Sequence, residues 1–395
     1  MPIQRPTWLP SYLPELDGLR GLAILWVVLY HCDPLLKGTW LHYVAEWGWA
    51  GVIVFFALSG FLITSNLLAT RDKPHYFHNF HARRALRIWP VYVLVLAVVY
   101  LNAPWFIGPS VLGAIKAAPW LAYIFFVQNL FHLALPAALG PTWALAVEEQ
   151  YYFLWAPIVR WLRRPWMLAI VLTTALICSP LLRYMDLVWL KTLPTHMLIH
   201  LDGIALGSLL ALAMYTLRLS QRVWLWTGLG AFALGIFAAA TFAGGTAFLD
   251  SALTLGFTGA VLALMASTTG VPGDRSSSLG WSTGVPGDRS SSLGWSTGVP
   301  GDRSSSPGWS TGARNPVNAM LRSGPLAFYG RISYGLYMIH IVAFVFIGWF
   351  DLWMVRYGMA GSLAVVAARL TVSTALAAAM WYGFESQILK LKRHF

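Results

Sequence analysis

Four groups of polar residues stand inside otherwise apolar stretches of this chain. The first lies in ELDGLRGLAILWVVLYHCD, Glu15 to Asp33, which sets Arg20 at the start of a long apolar run and His31 deep within it. On a helix that spacing amounts to about three turns and roughly 16 Å of rise. Steps of about 100° return the two side chains nearly to one face. A polar group in lipid costs several kcal/mol unless it is paired. A histidine there, in line with an arginine, reads as a functional group; the alternative is a packing histidine bonded to a neighbouring helix.

The second group is HARRALRIWP, His81 to Pro90, with Arg83, Arg84 and Arg87 within a turn or so of each other. Guanidinium forks match the oxygens of phosphate groups. The alternative is topology-setting charge, which is the reading for Arg71 and Lys73. The third is PTWALAVEEQYYFLW, Pro141 to Trp155, which opens an apolar run with two adjacent carboxylates, Glu148 and Glu149. Consecutive helical residues point about 100° apart. One glutamate can then face a site while the other meets water or the helix N-terminus, where negative charge is favourable. The fourth comprises Asp202 in HLDGIALG, suited to pair an arginine, and Tyr334 and His340 in RISYGLYMIH. The last two are six apart, lie on different faces, and read as structural.

The elements that position these groups follow from composition. The chain has 395 residues, of which 57% are hydrophobic and 11% charged, and a mean hydropathy of +0.61. Soluble proteins carry about 25% charged residues, so this surface belongs in a bilayer. The fold class expected is all-α integral membrane, a bundle of about ten transmembrane helices. The formal net charge of +12 sits in arginines between apolar runs, the pattern of cytoplasmic loops and not of a nucleic-acid interface. The two cysteines, Cys32 and Cys178, provide neither a disulfide framework nor metal-ligand spacing. The first apolar run lacks a cleavage site and reads as a retained helix.

In chain order, spans are expected from about Gly18 to Leu36, Trp49 to Ala69, and Trp89 to Tyr100 with its flanks. The proline-broken stretch Trp105 to Pro141 reads as a re-entrant excursion or two short spans. Further spans follow at Trp143–Ile158, Met167–Leu182, His200–Met214, Trp224–Phe242, Phe248–Ala266, Arg331–Phe350 and Met359–Phe384. The positive-inside rule then puts both termini and the arginine segment in the cytoplasm. Residues 270–312 carry a tandem 14-residue repeat, STGVPGDRSSSLGW and its near-copies. It is too poor in apolar residues to bury a core and is expected to be a disordered cytoplasmic loop. It divides a membrane domain into a first part, 1–269, and two last helices within 313–395.

These motifs together resemble the membrane-bound acyltransferase-3 family, the integral-membrane O-acyltransferases of bacterial polysaccharides such as O-antigen, of peptidoglycan, nodulation factors and macrolides. The resemblance rests on ELDGLRGLAI with Arg20 and His31, VFFALSGFLI, RRALRIWPVY, PTWALAVEEQYYFLW, LDGIALG and ISYGLYMIH, in the family's order along nearly the whole chain. The repeat has no counterpart in that pattern, and no appended soluble hydrolase-like domain is expected, so transfer would occur in the membrane domain or on a separate partner. The resemblance implies acyl-CoA, acetyl-CoA in the simplest case, as donor substrate, with no bound cofactor or metal, and a carbohydrate or lipid-linked sugar as acceptor. It implies a multi-pass protein of the bacterial inner membrane. On this reading His31 is the general base, with Glu148 or Glu149 orienting it or binding the sugar. Arg83, Arg84 and Arg87 bind donor phosphates, and Arg20 and Asp202 complete the donor contacts. The rival class is a polar-lipid or sugar transporter or flippase, which needs no CoA chemistry and leaves the arginines without a role. A scaffolding membrane subunit is the other; it makes His31 replaceable.

Overall fold

The computed structural model describes residues 5–6, 8–9, 12–106, 120–130, 137–185, 197–242, 248–267 and 316–394. Among the described residues there are ten helices of sixteen residues or more and no strand. They are α1 Pro14–Tyr30, α2 Ala50–Thr70, α3 Tyr76–Phe106, α4 Thr142–Trp161, α5 Pro165–Met185, α6 Leu201–Thr216, α7 Gln221–Thr241, α8 Leu249–Ser267, α9 Gly324–Phe346 and α10 Gly358–Met380. Among the described residues eight helical segments are long and apolar enough to cross a membrane. The two long helices outside that set are α1, with 17 residues, and α4, which carries Glu148, Glu149 and Gln150 in its body. The expected all-α membrane bundle is the fold observed. The repeat at 270–312 and most of the proline-broken stretch, 107–119 and 131–136, lie outside the described residues.

Two boundaries differ from the sequence expectation, and both matter for chemistry. The first helix stops at Tyr30 instead of continuing to Leu36, so His31 is its C-cap and not an interior residue. Pro34 has no N–H for the Tyr30 carbonyl and disfavours helical backbone at Asp33. The chain turns there into a short 3-10 segment, Asp33–Leu35. The arginine segment, expected as a loop before a span, is instead part of α3, which runs unbroken for 31 residues through Pro90. Arg84 and Arg87, three apart, therefore sit on one helical face.

Two apolar clusters build the bundle. One joins α2, α4, α5, α6 and α8 around Phe61, Trp155 and Ile204. The other joins α1, α3, α9 and α10 around Ile24, Val91 and Leu336. Close backbone approach within each relies on glycine, as in lipid, where helices associate through packing and not through water exclusion. A Cβ on Gly330 of α9 would fall on the backbone of Asp17 in α1, and one on Gly207 of α6 on the carbonyl of Ala57 in α2. Gly207→Ala is expected to separate α2 from α6 and destabilise the fold by about 1–3 kcal/mol. Thermal unfolding of the detergent-solubilised protein measures this; an unchanged transition would show that the crossing yields at no cost.

Candidate functional site

A cavity of about 100 Å³ lies where the two clusters meet, walled by α1, α2, α3, α4 and α9. Three guanidinium groups enter it: Arg20 from α1, and Arg84 and Arg87 from α3. The one carboxylate in its wall is Glu148 of α4. Three cations against one anion, enclosed by Phe55, Phe56, Leu62 and Ile88, make a strongly positive pocket in apolar surroundings. Charges act over a longer range in such surroundings than in water.

Each charged group is held differently. Arg20 is almost fully buried and reaches Asp17 Oδ1 at 3.5 Å, while the Tyr12 hydroxyl donates to Asp17 Oδ2 at 2.8 Å. Arg84 lies over the ring of Tyr152, with 4.1 Å from Cζ to the ring centroid. The Tyr152 hydroxyl donates to Glu148 Oε2 at 3.0 Å, and Ser59 Oγ donates to Glu148 Oε1 at 2.7 Å. Glu148 is thus tied at both oxygens. Glu149 points elsewhere, as the 100° rule requires; it is not in the cavity wall, and its Oε1 is buried with no hydrogen-bond partner among the described residues. Arg87 makes no hydrogen bond or ion pair among the described residues, although it faces the cavity. Beside it the Tyr334 hydroxyl donates to the Ile88 carbonyl at 2.8 Å, pinning α9 to α3. Arg83 is not part of the cavity wall.

His31 does not line this cavity. It stands at the end of α1 with Nδ1 2.9 Å from the Val27 carbonyl. A carbonyl only accepts, so Nδ1 carries a proton, and in the neutral ring the lone pair sits on Nε2, as a general base needs. The expected link from Glu148 or Glu149 to His31 is not formed, because Glu148 is held by Ser59 and Tyr152. The ring beside His31 is that of His340, with centroids 4.9 Å apart. His340 in turn meets Tyr337, centroids 6.1 Å apart, and Tyr337 faces Phe55 in the cavity wall. Tyr337 is fixed by its hydroxyl, which donates to the Pro141 carbonyl at 2.9 Å. His31 is therefore linked to the wall of the arginine cavity through the ring contacts of His340, Tyr337 and Phe55.

Asp202, expected as a donor contact, lies outside the cavity. It accepts from Arg183 Nη2 at 2.7 Å and from Ser251 Oγ at 2.5 Å, and Arg183 Nη1 also reaches Asp250 at 2.9 Å. This buried cluster joins α5, α6 and α8. Asp202→Ala is expected to destabilise the protein by about 3 kcal/mol or more, since removing one partner of a buried pair strands the other. Thermal unfolding of the solubilised variant checks this, and an unchanged transition would show that the Arg183 cluster carries no stability.

Sequence reasoning passed over Ser59, Tyr152, Tyr337 and His340 as site residues. The available signal was the i, i+3 pair Tyr337 and His340, which sets two polar rings side by side on α9. Nothing in the sequence indicated Glu385. It is 3% exposed in the turn after α10, with its Oε2 buried and without a hydrogen-bond partner among the described residues.

A helical membrane bundle encloses a cavity that three guanidinium groups enter, and His31 stands outside its wall beside His340. Residues 13–382 match the family described as acyltransferase domain, Acyl_transf_3. The chain belongs to the acyltransferase-3 family. Its relatives include the peptidoglycan O-acetyltransferase OatA of Listeria monocytogenes, 35% identical over 172 residues, which are 39% of this chain and 26% of that protein. The O-acetyltransferase OatA of Staphylococcus aureus is 34% identical over 164 residues, 39% of this chain and 26% of its own length. The matched region thus spans about a quarter of these relatives. No solved structure matches the chain.

Proposed function

We propose that this chain is a membrane O-acyltransferase that moves an acyl group, acetyl in the simplest case, from acyl-CoA to a hydroxyl of a sugar or lipid-linked glycan. The observation that carries this reading is the cavity in which Arg20, Arg84 and Arg87 converge around a single carboxylate. CoA is the acyl carrier whose charge fits it, because its phosphates suit guanidinium forks. Arg87, which makes no hydrogen bond among the described residues, and Arg84 take phosphate oxygens. Arg20, anchored by Asp17, lies next along the path.

The pantetheine arm is long enough for a half-bilayer of about 15 Å, so it carries the thioester past Phe55 and Tyr337 toward His31. His31 Nε2 takes the proton of the acceptor hydroxyl as its oxygen attacks the thioester carbon. The C–S bond breaks, and the proton passes on to the leaving thiolate. Glu148, held by two hydroxyl donors, shapes the cavity. With the arginine end of α3 in the cytoplasm and His31 toward the outer side of the inner membrane, donor and acceptor arrive from opposite faces. The relatives, named as a peptidoglycan O-acetyltransferase and an O-acetyltransferase, favour a glycan acceptor and acyl chemistry over the transport reading.

The test uses the full chain in nanodiscs with radiolabelled acetyl-CoA and soluble peptidoglycan fragments as acceptor. Label appearing in the glycan, dependent on the arginines and on His31, supports the assignment. Movement of glycan across liposomes without acetyl-CoA would support a transporter instead.

A further inference from the structure

We propose that His340 is a positioning residue that forms a two-imidazole unit with His31 and stabilises the charged ring His31 becomes when it accepts a proton. This rests on the reading of His31 as the base. The rings of the two residues lie 4.9 Å apart at 65°, an edge-to-face arrangement. At this distance and tilt a neutral aromatic ring is in contact range of a neighbouring cation, which its π face attracts.

His340 is built for this part. It is fully buried, and its Nδ1 lies 2.8 Å from the Tyr337 carbonyl and 3.1 Å from the Leu336 carbonyl. Both partners only accept, so Nδ1 carries the proton, and Nε2 is left as a bare acceptor. That nitrogen is buried and has no hydrogen-bond partner among the described residues. An unmet buried acceptor costs about 1–3 kcal/mol, and packing alone gives no reason to keep one next to another imidazole. A neutral ring with a bare lone pair is a dipole that repels no proton and welcomes a neighbouring cation.

The surroundings leave that part to His340. From α10, Arg369 places Nη1 3.5 Å from the His31 carbonyl, but its charge is met by Asp351 at 2.6 and 3.1 Å, and it lies over the Phe344 ring. Tyr337 of α9 faces His340, Tyr30 packs on His31, and Cys32 adjoins it in the chain. None of these is an unpaired anion. In turnover the O–H bond of the acceptor breaks, an N–H bond forms at His31, and the proton leaves with the CoA thiol; His340 neither gains nor loses a proton.

The experiment is a titration of His31 by NMR in the full chain, labelled with ¹⁵N-histidine and held in nanodiscs, with His340→Leu and His340→Gln compared to the parent. His31→Gln assigns the signal. Removing the second ring in His340→Leu should weaken proton binding at His31 by about tenfold. His340→Gln, which keeps an acceptor, should recover part of that change. The same variants assayed with acetyl-CoA should lose kcat by at least tenfold, with KM for acetyl-CoA within about twofold. An unchanged His31 titration in a His340→Leu protein with parental thermal stability would overturn the pairing. That result is separate from the fate of the base assignment, which falls if His31→Ala keeps full transfer activity.

Discussion

His31→Ala should lower acyl transfer by about 10² to 10⁴-fold while leaving CoA binding near its parental value. The size follows from the contribution of a positioned general base. The separation follows from the structure, in which His31 lies outside the arginine cavity and is linked to its wall through the rings of His340, Tyr337 and Phe55. Folding should be little affected, because His31 is only partly buried and its one side-chain bond is to the Val27 carbonyl of its own helix. The measurements are steady-state transfer from labelled acetyl-CoA and calorimetric binding of CoA. Equal losses in both would mean that His31 holds the donor and does not act on the acceptor. His31→Gln keeps hydrogen bonding but cannot take a proton at neutral pH, and it should be as inactive as the alanine variant.

Arg87→Ala is the second large effect, and it should appear in donor affinity. A hydrogen bond to a charged group contributes about 1.5–3 kcal/mol, so loss of the Arg87 contact should weaken CoA binding by roughly tenfold to a hundredfold, with a small change in kcat. Arg87 is a cleaner probe than Arg84. Arg84 also covers the Tyr152 ring, and Tyr152 holds Glu148, so removing it disturbs the cavity wall as well as the ligand. Arg87→Lys should recover only part of the affinity, since a single ammonium cannot reproduce a bidentate fork. Dephospho-CoA locates the contact: if Arg87 meets the 3′-phosphate, the parent should bind dephospho-CoA about as weakly as Arg87→Ala binds CoA. Unchanged CoA affinity in Arg87→Ala would remove this residue from the donor site.

How much of this was legible beforehand differs from residue to residue. Arg20, Arg84, Arg87 and Glu148 stood out because charge in an apolar run is expensive, and all four converge on one cavity. Asp202 stood out for the same reason, but an arginine and a serine that neutralise it lie on other helices, so its partners were invisible in the linear chain. The end of α1 was misjudged because apolar periodicity outran the local effect of Pro34, and His31 became a cap. His340 was read as structural from its spacing to Tyr334, when the neighbour that matters to it is more than 300 residues away in sequence.

By itself the sequence determined the class of fold, the approximate place of most long helices and the identity of the charged groups that had to be accounted for. Those properties follow from local composition and period, since a lipid-facing helix must satisfy its backbone within one segment. Only the tertiary structure decided which polar groups meet. The crossing at Gly330 sets α9 close enough to α1 for His340 to face His31, and the packing of α2 on α4 brings Ser59 to Glu148. Contacts between distant segments depend on which faces pack together, and hydropathy, nearly uniform around such helices, does not encode that choice.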